Sequence, residues 1–329
     1  MEPQRTLELV QGVVRFYNFL PPRDAFLDDV LAGLGKPQKS VPPQYFYDER
    51  GGQLFETICG LPEYYPARTE MAIMRSHIAD MAQFIGPDVE LIEFGAGAGV
   101  RTRLLIERLQ PPLYVPVDAA GERMRAAAGR LVELFPWLNI TGIFADFTRP
   151  LVLPEFVGVP VRKKAAFFSG SAIGNFTPAE AFGFLKQVRR LVGTGGTLLI
   201  GVDPKKDKKT LDAAYNDAQG IVAKFNLNLL ERINHELGAD FQVKRFRHKA
   251  FYDPIQGWVE MHLESLYAQF AHVAGRRFDF AEGETIHSGN SCKFSIAEFQ
   301  ELGGKAGFSP QKVWTDPEQV FSVHGMIAI

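Results

Sequence analysis

Between residues 89 and 202 the chain repeats one pattern: a short apolar run, a turn, then a stretch of helical period. Val89-Glu-Leu-Ile-Glu-Phe94 enters a glycine-rich turn, and Leu113-Tyr-Val-Pro-Val117 ends in Asp118. Asn139-Ile-Thr-Gly-Ile-Phe144 is followed by Asp146, and Ala165-Ala-Phe-Phe168 by a Ser/Gly turn. Thr197-Leu-Leu-Ile-Gly-Val202 closes the series. Helices are expected over 102–109 and 122–134. A third opens at Thr177-Pro-Ala-Glu180, with Thr as N-cap, Pro at the first position and Glu three residues after the cap. Ala181, Phe184, Leu185, Val188 and Leu191 keep its period until Gly193 and Gly195. Alternating units of this size predict an α/β fold with a parallel, doubly wound sheet.

After residue 202 the pattern changes. Leu211 to Leu237 reads as strongly helical, with Val222, Phe225, Leu229, Ile233 and Leu237 on one stripe. Val243 to Ile286 reads as antiparallel strands; in Trp258 to Leu266, Val259, Met261 and Leu263 share one side. Ser295-Ile-Ala-Glu298 is a second capping box, opening a helix that Gly307 stops. Two strands are expected near 311–315 and 320–329. Five parallel strands finished by a helix and an antiparallel hairpin make a mostly parallel, seven-stranded, Rossmann-like sheet. Residues 69–206 and 294–329 are expected to form that domain. The helical N-terminal stretch 16–68 and the block 207–293 are expected to pair as an α+β substrate-binding lobe, with 1–15 as an N-terminal extension.

Composition narrows the function. The formal net charge is -2 with 22% charged residues, which leaves no electrostatic footprint for nucleic acid or an anionic membrane. The dense charge run Pro204-Lys-Lys-Asp-Lys-Lys209 reads as a solvated turn. The two cysteines, Cys59 and Cys292, have no metal-like spacing, and none of the seven histidines falls in a metal or triad arrangement. No apolar stretch suits a signal peptide or a membrane span. A monomeric, cytoplasmic enzyme acting on a small molecule is the expectation.

The glycine turn carries the cofactor argument. Glu93-Phe-Gly-Ala-Gly-Ala-Gly99 lies between a strand and a helix, where glycines allow a sharp turn and close backbone approach to a ligand. Val100 stands where the dinucleotide fingerprint has its last glycine, which argues against a nicotinamide cofactor. The loop has instead the Glu/Asp-x-Gly-x-Gly-x-Gly form of S-adenosylmethionine (SAM)-dependent methyltransferases. Gly95, Ala96, Gly97, Gly99 and Arg101 form its expected cofactor contacts. Asp118 lies about 20 residues on, where a carboxylate accepts from both ribose hydroxyls. Asp146 is suited to accept from the adenine amino group while Phe147 packs on the ring. Each aspartate also fits as an ordinary helix or turn cap.

Longer segments resemble a known family. Tyr47-Asp-Glu-Arg-Gly-Gly-Gln-Leu-Phe55, Leu61-Pro-Glu-Tyr-Tyr-Pro-Ala-Arg-Thr-Glu70 and Phe168-Ser-Gly-Ser-Ala-Ile-Gly-Asn-Phe176 look like the histidine-specific Nα-methyltransferases of ergothioneine biosynthesis. So do Ala214-Tyr-Asn-Asp217, Phe225-Asn-Leu-Asn-Leu-Leu230, Val259-Glu-Met-His-Leu263 and Gly283-Glu-Thr-Ile-His287. The resemblance runs from about residue 40 to 329. It implies a class I methyltransferase that moves methyl groups from SAM to the α-amino nitrogen of an amino acid, up to the trimethylated betaine. By resemblance, Asn175 and Tyr215 hold the substrate carboxylate and amine. Tyr47 and Tyr64 line the same end, with Tyr65 as the alternative match to Tyr64. Met261 sits beside the substrate side chain. Read without the family, Asn175 also suits a turn before Pro178, and Tyr215 and Met261 also suit core positions.

One segment departs from the family. Its imidazole-reading Thr-Glu-x-Ser is here Ser288-Gly-Asn-Ser291, so Gly289 replaces a glutamate and Ser291 is kept. An unpaired ring N–H costs about 1–3 kcal/mol, enough to erode a preference for histidine. Glycine also opens room for a larger or less polar side chain, while Asn290 is an alternative acceptor. Other classes fit less well. Nucleic-acid N-methyltransferases usually carry Asn/Asp-Pro-Pro-aromatic after the fourth strand, where this chain has Ser169-Gly-Ser-Ala-Ile-Gly-Asn175. The large second lobe argues against a non-catalytic SAM-binding module.

Overall fold

The computed structural model describes residues 4–7, 14–20, 24–97, 99–119, 121–154, 159 and 161–329. Residues 1–3 and 8–13 of the expected N-terminal extension, and Ala98 of the glycine loop, lie outside that set. In chain order the elements are β1 (Gln4–Leu7), β2 (Val14–Asn18), α1 (Asp24–Leu34), β3 (Lys39–Ser40), α2 (Glu49–Cys59), α3 (Tyr65–Ile85), β4 (Val89–Phe94), α4 (Val100–Leu109), β5 (Leu113–Asp118), α5 (Gly121–Leu134), β6 (Asn139–Phe144), β7 (Lys163–Phe168), α6 (Pro178–Val192), β8 (Thr197–Val202), α7 (Lys208–Tyr215), α8 (Ile221–Leu237), β9 (Phe246–Asp253), β10 (Trp258–Ser265), β11 (Gln269–Val273), β12 (Arg276–Phe280), β13 (Thr285–Cys292), α9 (Ile296–Lys305), β14 (Phe308–Thr315) and β15 (Ser322–Ala328). Two compact units share them: Met1–Pro21, Thr69–Pro204 and Phe294–Ile329 form one, Pro22–Arg68 and Lys205–Lys293 the other. Among the described residues, no helix is long and apolar enough to cross a membrane.

The first unit is built on a sheet of order β1-β2-β6-β5-β4-β7-β8-β15-β14. From β2 to β8 neighbouring strands run parallel, and β15 and β14 close one edge antiparallel. β4 and β8 are buried along their whole length, as strands covered on both faces must be. All seven expected strands are present, and the sheet has nine because β1 and β2 extend it past β6. A helical reading of residues 16–18 is thereby corrected. Val14 and Phe16 are buried while Arg15 and Tyr17 are half-buried, a period of two. Phe16 stacks on Phe144, with ring centroids 5.3 Å apart. Gly142 makes room for it, since a Cβ there would fall 2.5 Å from the Phe16 ring. Sheet growth reverses between β4 and β7, the switch point at whose carboxyl ends α/β sheets bind ligands.

The second unit holds a four-stranded sheet, β3-β13-β10-β9, and the β11-β12 hairpin. The stretch expected as one helix over 211–237 is two. α7 ends at Tyr215, and α8 starts at Ile221 after Gly220 turns left-handed at φ 68°. Asp217 starts the new helix by accepting from the backbone N–H of Ile221 and Val222 at 2.9 and 2.8 Å. A capping aspartate and a left-handed glycine outweigh the apolar stripe. The lysine run belongs to this start as well: Asp207 N-caps α7 by accepting from Thr210 N at 2.9 Å.

Candidate active site

In the first unit the loop after β4 turns on three glycines with positive φ: Gly95 at 67°, Gly97 at 51° and Gly99 at 72°. Any residue with a Cβ would be strained at each of them. The turn is tied down by Gly95 N donating to Val117 O at 2.9 Å and Gly99 N donating to Ala96 O at 3.0 Å. Gly95 is exposed and Gly97 half-buried, so their backbone can be approached. Asp118, at the end of β5, accepts from Gly97 N at 3.1 Å through one carboxylate oxygen. Beneath the loop, the buried carboxyl of Glu93 accepts from the hydroxyls of Thr102 and Tyr114. Burial is the main force raising it to about 7, and the negative Asp118 adds to the rise, while the two hydroxyls oppose it.

Arg101, in the first turn of α4, is held by a residue the sequence reading did not single out. Glu70 of α3 is fully buried and pairs with Arg101 Nε at 2.5 Å. Its two oxygens also accept from Gly170 N at 3.0 and 2.9 Å. Burial raises the Glu70 carboxyl; the Arg101 charge and the Gly170 N–H oppose that rise. One carboxylate thus ties the helix after the glycine loop to the turn after β7. Its signal was available, because Glu70 closes the quoted Leu61–Glu70 segment. In that turn Gly170 and Ser171 both have positive φ, and Ser171 Oγ accepts from Asp203 N at 2.9 Å. The 3₁₀ turn that follows, Ala172–Asn175, leaves Asn175 exposed.

Asp146 is engaged locally. Its Oδ1 accepts from Thr148 N at 3.0 Å and from Thr148 Oγ1 at 2.5 Å, and Oδ2 lies 3.2 Å from Arg149 Nε. Phe147 is half-buried against Phe94, Phe168 and Phe184 at centroid distances of 6.0, 5.7 and 6.1 Å. A Cβ built on Gly95 would lie 3.8 Å from the Phe147 ring. These features fit SAM: an open glycine backbone, a carboxylate at the end of the next strand and an aromatic face beside the loop. The described residues contain no group of three or more His, Cys, Asp or Glu side chains able to hold a metal ion.

In the second unit the singled-out tyrosines sit in one aromatic row. Tyr47 meets Phe55 and Phe225 edge-on at 5.6 and 5.7 Å; Phe55 meets Tyr64 at 6.3 Å, and Tyr64 meets Tyr215 at 6.4 Å. Tyr65 is buried elsewhere, taking a hydrogen bond from Lys206 Nζ at 2.8 Å, so the structure joins Tyr64 and not Tyr65 to Tyr215. The motif around Tyr47 is a helix start. Asp48 caps α2 by accepting from Gly51 N at 2.6 Å, and Asn228 of α8 donates to the same oxygen at 2.8 Å. Gly51 is required there, because a Cβ would fall 1.7 Å from Phe46 O.

The β10–β13 pair carries the departing segment. Met261 lies opposite Gly289, and Val259 opposite Ser291. Gly289 is buried, and its missing Cβ would meet Met261, Phe46 and Pro43 at 3.4 Å each. Asn290 is on the other face. It pairs with Glu260, and its Oδ1 lies 2.7 Å from His287 Nε2, in a polar cluster where Glu260 also meets His262 at 2.9 Å. The alternative acceptor expected at Asn290 therefore does not share the face of Gly289 and Ser291, because side chains alternate along a strand. Lys293 does share it. It is 2% exposed and donates to Ser291 Oγ at 2.8 Å and Tyr215 Oη at 3.1 Å. Its signal in the sequence was its spacing, two residues past Ser291.

Comparison with known proteins gives a consistent picture. The histidine-specific, SAM-dependent methyltransferase family matches residues 26–328. The chain is 36% identical over 306 residues to the histidine N-alpha-methyltransferase of Mycolicibacterium smegmatis, across 91% of this chain and 94% of that protein. It is 35% identical over 295 residues to the histidine N-alpha-methyltransferase of Mycobacterium tuberculosis, across 88% and 90%. A more distant similarity, 24% over 307 residues, is to the 4-dimethylallyltryptophan N-methyltransferase of Aspergillus fumigatus, across 88% and 90%.

Proposed function

The chain belongs to the histidine-specific, SAM-dependent methyltransferase family, and on that premise we propose that it methylates the α-amino nitrogen of a free amino acid whose side chain is larger or less polar than imidazole. The observation that carries the second half is Gly289. A buried glycine stands where the family's carboxylate is expected, bounded by Met261, Phe46 and Pro43. Those three neighbours are apolar, so the space suits an aromatic or aliphatic group better than a ring N–H seeking an acceptor. Asn290, turned to the opposite face toward His287, leaves Ser291 as the polar side chain of that segment on the Gly289 face. A second reading, a modified amino acid such as a prenylated tryptophan, is favoured by the similarity to the 4-dimethylallyltryptophan enzyme.

In this reading Gly95, Ala96, Gly97, Gly99, Arg101, Asp118, Asp146 and Phe147 hold SAM. Bound SAM supplies a methyl group already activated on a sulfonium, whose departure leaves a neutral thioether. The protein's task is then positioning and exclusion of water. Tyr47, Tyr64, Asn175 and Tyr215 orient the substrate amine and carboxylate, and Met261, Gly289 and Ser291 line its side chain. The amine attacks only as the free base, since an ammonium has no lone pair. Successive transfers would give the mono-, di- and trimethylated products.

The test is an assay of the purified chain with SAM and each of the twenty amino acids separately, with products read by mass. Faster conversion of phenylalanine, tyrosine, tryptophan or an aliphatic amino acid than of histidine supports the proposal. Conversion of histidine alone overturns the reading of Gly289. No product from any of them overturns the free-amino-acid substrate.

A further inference from the structure

Lys293 is nearly fully buried at 2% exposure, and its Nζ lies 2.8 Å from Ser291 Oγ, 3.1 Å from Tyr215 Oη and 5.1 Å from the centre of the Tyr215 ring. Backbone pairing fixes it there: β13 lies along β10, and Lys293 N donates to Gly257 O at 2.8 Å. An ammonium carries hydrogens and no lone pair, so it is a donor in every bond it makes. A hydroxyl beside it must accept from it and keeps its own single hydrogen for another partner. The ammonium also polarises each hydroxyl, strengthening it as a donor and weakening it as an acceptor.

We propose that Lys293 is a positioning residue that fixes Tyr215 and Ser291 as O–H donors, so that the substrate side chain read by Ser291 ends in a hydrogen-bond acceptor. This rests on the reading above that Tyr215 and Ser291 contact the amino-acid substrate. The polarity is opposite to that of a glutamate at position 289, which would accept. With Gly289, the strand face of residues 289, 291 and 293 carries no carboxylate, and the acceptor capacity of the Ser291 hydroxyl is already partly taken by Lys293. The substrate class it fits is a large amino acid carrying an acceptor: an unprotonated aza-aromatic nitrogen, a carbonyl, or a phenol or ether oxygen. A plain hydrocarbon ring would leave the Ser291 hydroxyl unanswered.

The experiment compares kcat/KM of the full chain for 3- and 4-pyridylalanine against phenylalanine, at mildly alkaline pH where pyridine is unprotonated. These rings share size and shape and differ by one acceptor lone pair. The better-placed pyridyl isomer is expected to be preferred at least about 10-fold. Lys293→Met and Ser291→Ala are each expected to bring that ratio close to one, while Lys293→Arg, still a donor only, retains most of it. A purely structural lysine would lower turnover of all three substrates together and leave the ratio alone. If Lys293→Met fails to fold, Lys293→Gln, whose amide also carries an acceptor, takes its place. A wild-type ratio near one, or a ratio that the lysine substitution leaves untouched, overturns the inference while amino-acid methylation stands. Absence of methylation of any free amino acid by the wild type overturns the substrate reading and this inference with it.

Discussion

The carboxylate of Glu70 lies so close over Gly201 that a Cβ built on that glycine would fall 2.2 Å from Glu70 Oε1. Glycine in a buried central strand forgoes side-chain packing, and here it makes room for a fully buried charge. That charge is pinned by Arg101 at Oε2 and by Gly170 N at both oxygens, so it cannot swing aside without loosening both. Gly201→Ala is expected to weaken SAM binding and to lower the melting temperature. Glu70→Ala should cost about 3 kcal/mol of stability, the scale for breaking a buried ion pair. Thermal melts and SAM titrations of both variants check this, and a Gly201→Ala protein with unchanged SAM affinity would contradict it.

Asp118 meets the loop through Gly97 N and is half-buried, so it is partly open to a ligand. Its removal takes away both a brace on the loop and the acceptor proposed for the ribose hydroxyls. Asp118→Ala is expected to raise the Kd for SAM about 10- to 100-fold, from one to two charge-assisted hydrogen bonds. Calorimetric titration measures it. An Asp118→Ala enzyme that binds SAM within twofold of wild type would remove Asp118 from the cofactor site.

Gly289→Glu restores an acceptor to the face shared with Met261 and Ser291. The added Cβ would meet Met261, Phe46 and Pro43 at 3.4 Å each, the near limit of ordinary contact, and Gly289 does not have a positive φ, so the first atom of the new side chain meets no clash. It is expected to move the histidine-to-phenylalanine ratio of kcat/KM toward histidine by at least about 10-fold, the worth of one buried hydrogen bond. Should the ratio stay put with the variant folded, position 289 does not read the side chain.

Legibility followed the range of the interactions. The central β/α alternation could be read because each element there is set by local period and caps: the box at Thr177 and Glu180 and the one at Ser295 and Glu298 both form as expected. The glycine loop was equally local, its three positive φ values falling on glycines. What escaped depends on partners far along the chain. β2 is a strand because it pairs with β6, about which residues 14–18 carry no signal of their own beyond Val14 and Phe16. Glu70 matters through Arg101, Gly170 and Gly201, and Lys293 through Tyr215. Asn290 was placed with Gly289 by adjacency in sequence, but strand alternation separates them, and the register shift after Met261 lets it reach His287.

Glu93 gives the pH behaviour a specific origin. Its carboxyl is raised from 4.5 to about 7, chiefly by burial. An acid raised on folding is more stable protonated. Its contribution is therefore fully present below about pH 4.5 and is lost as the pH rises through 7. The loss amounts to about 3 kcal/mol on the scale of 1.36 kcal/mol per unit. His324 works in the opposite direction in an overlapping window: burial lowers it from 6.5 to about 4, so its stability is present above 6.5 and is lost as the pH falls toward 4. The two trends offset in the wild-type profile, so the informative quantity is the difference between wild type and Glu93→Gln. Glutamine keeps an acceptor for one of the rotatable hydroxyls of Thr102 and Tyr114, offers the other an N–H to accept from, and carries no charge. The variant should gain on wild type steadily between pH 4.5 and 7 and hold that gain above it, in melting temperatures taken across the range. A difference that stays flat with pH would mean that Glu93 ionises at its ordinary value in the folded protein, whereas one that keeps growing above pH 7 would mean that it stays protonated to higher pH.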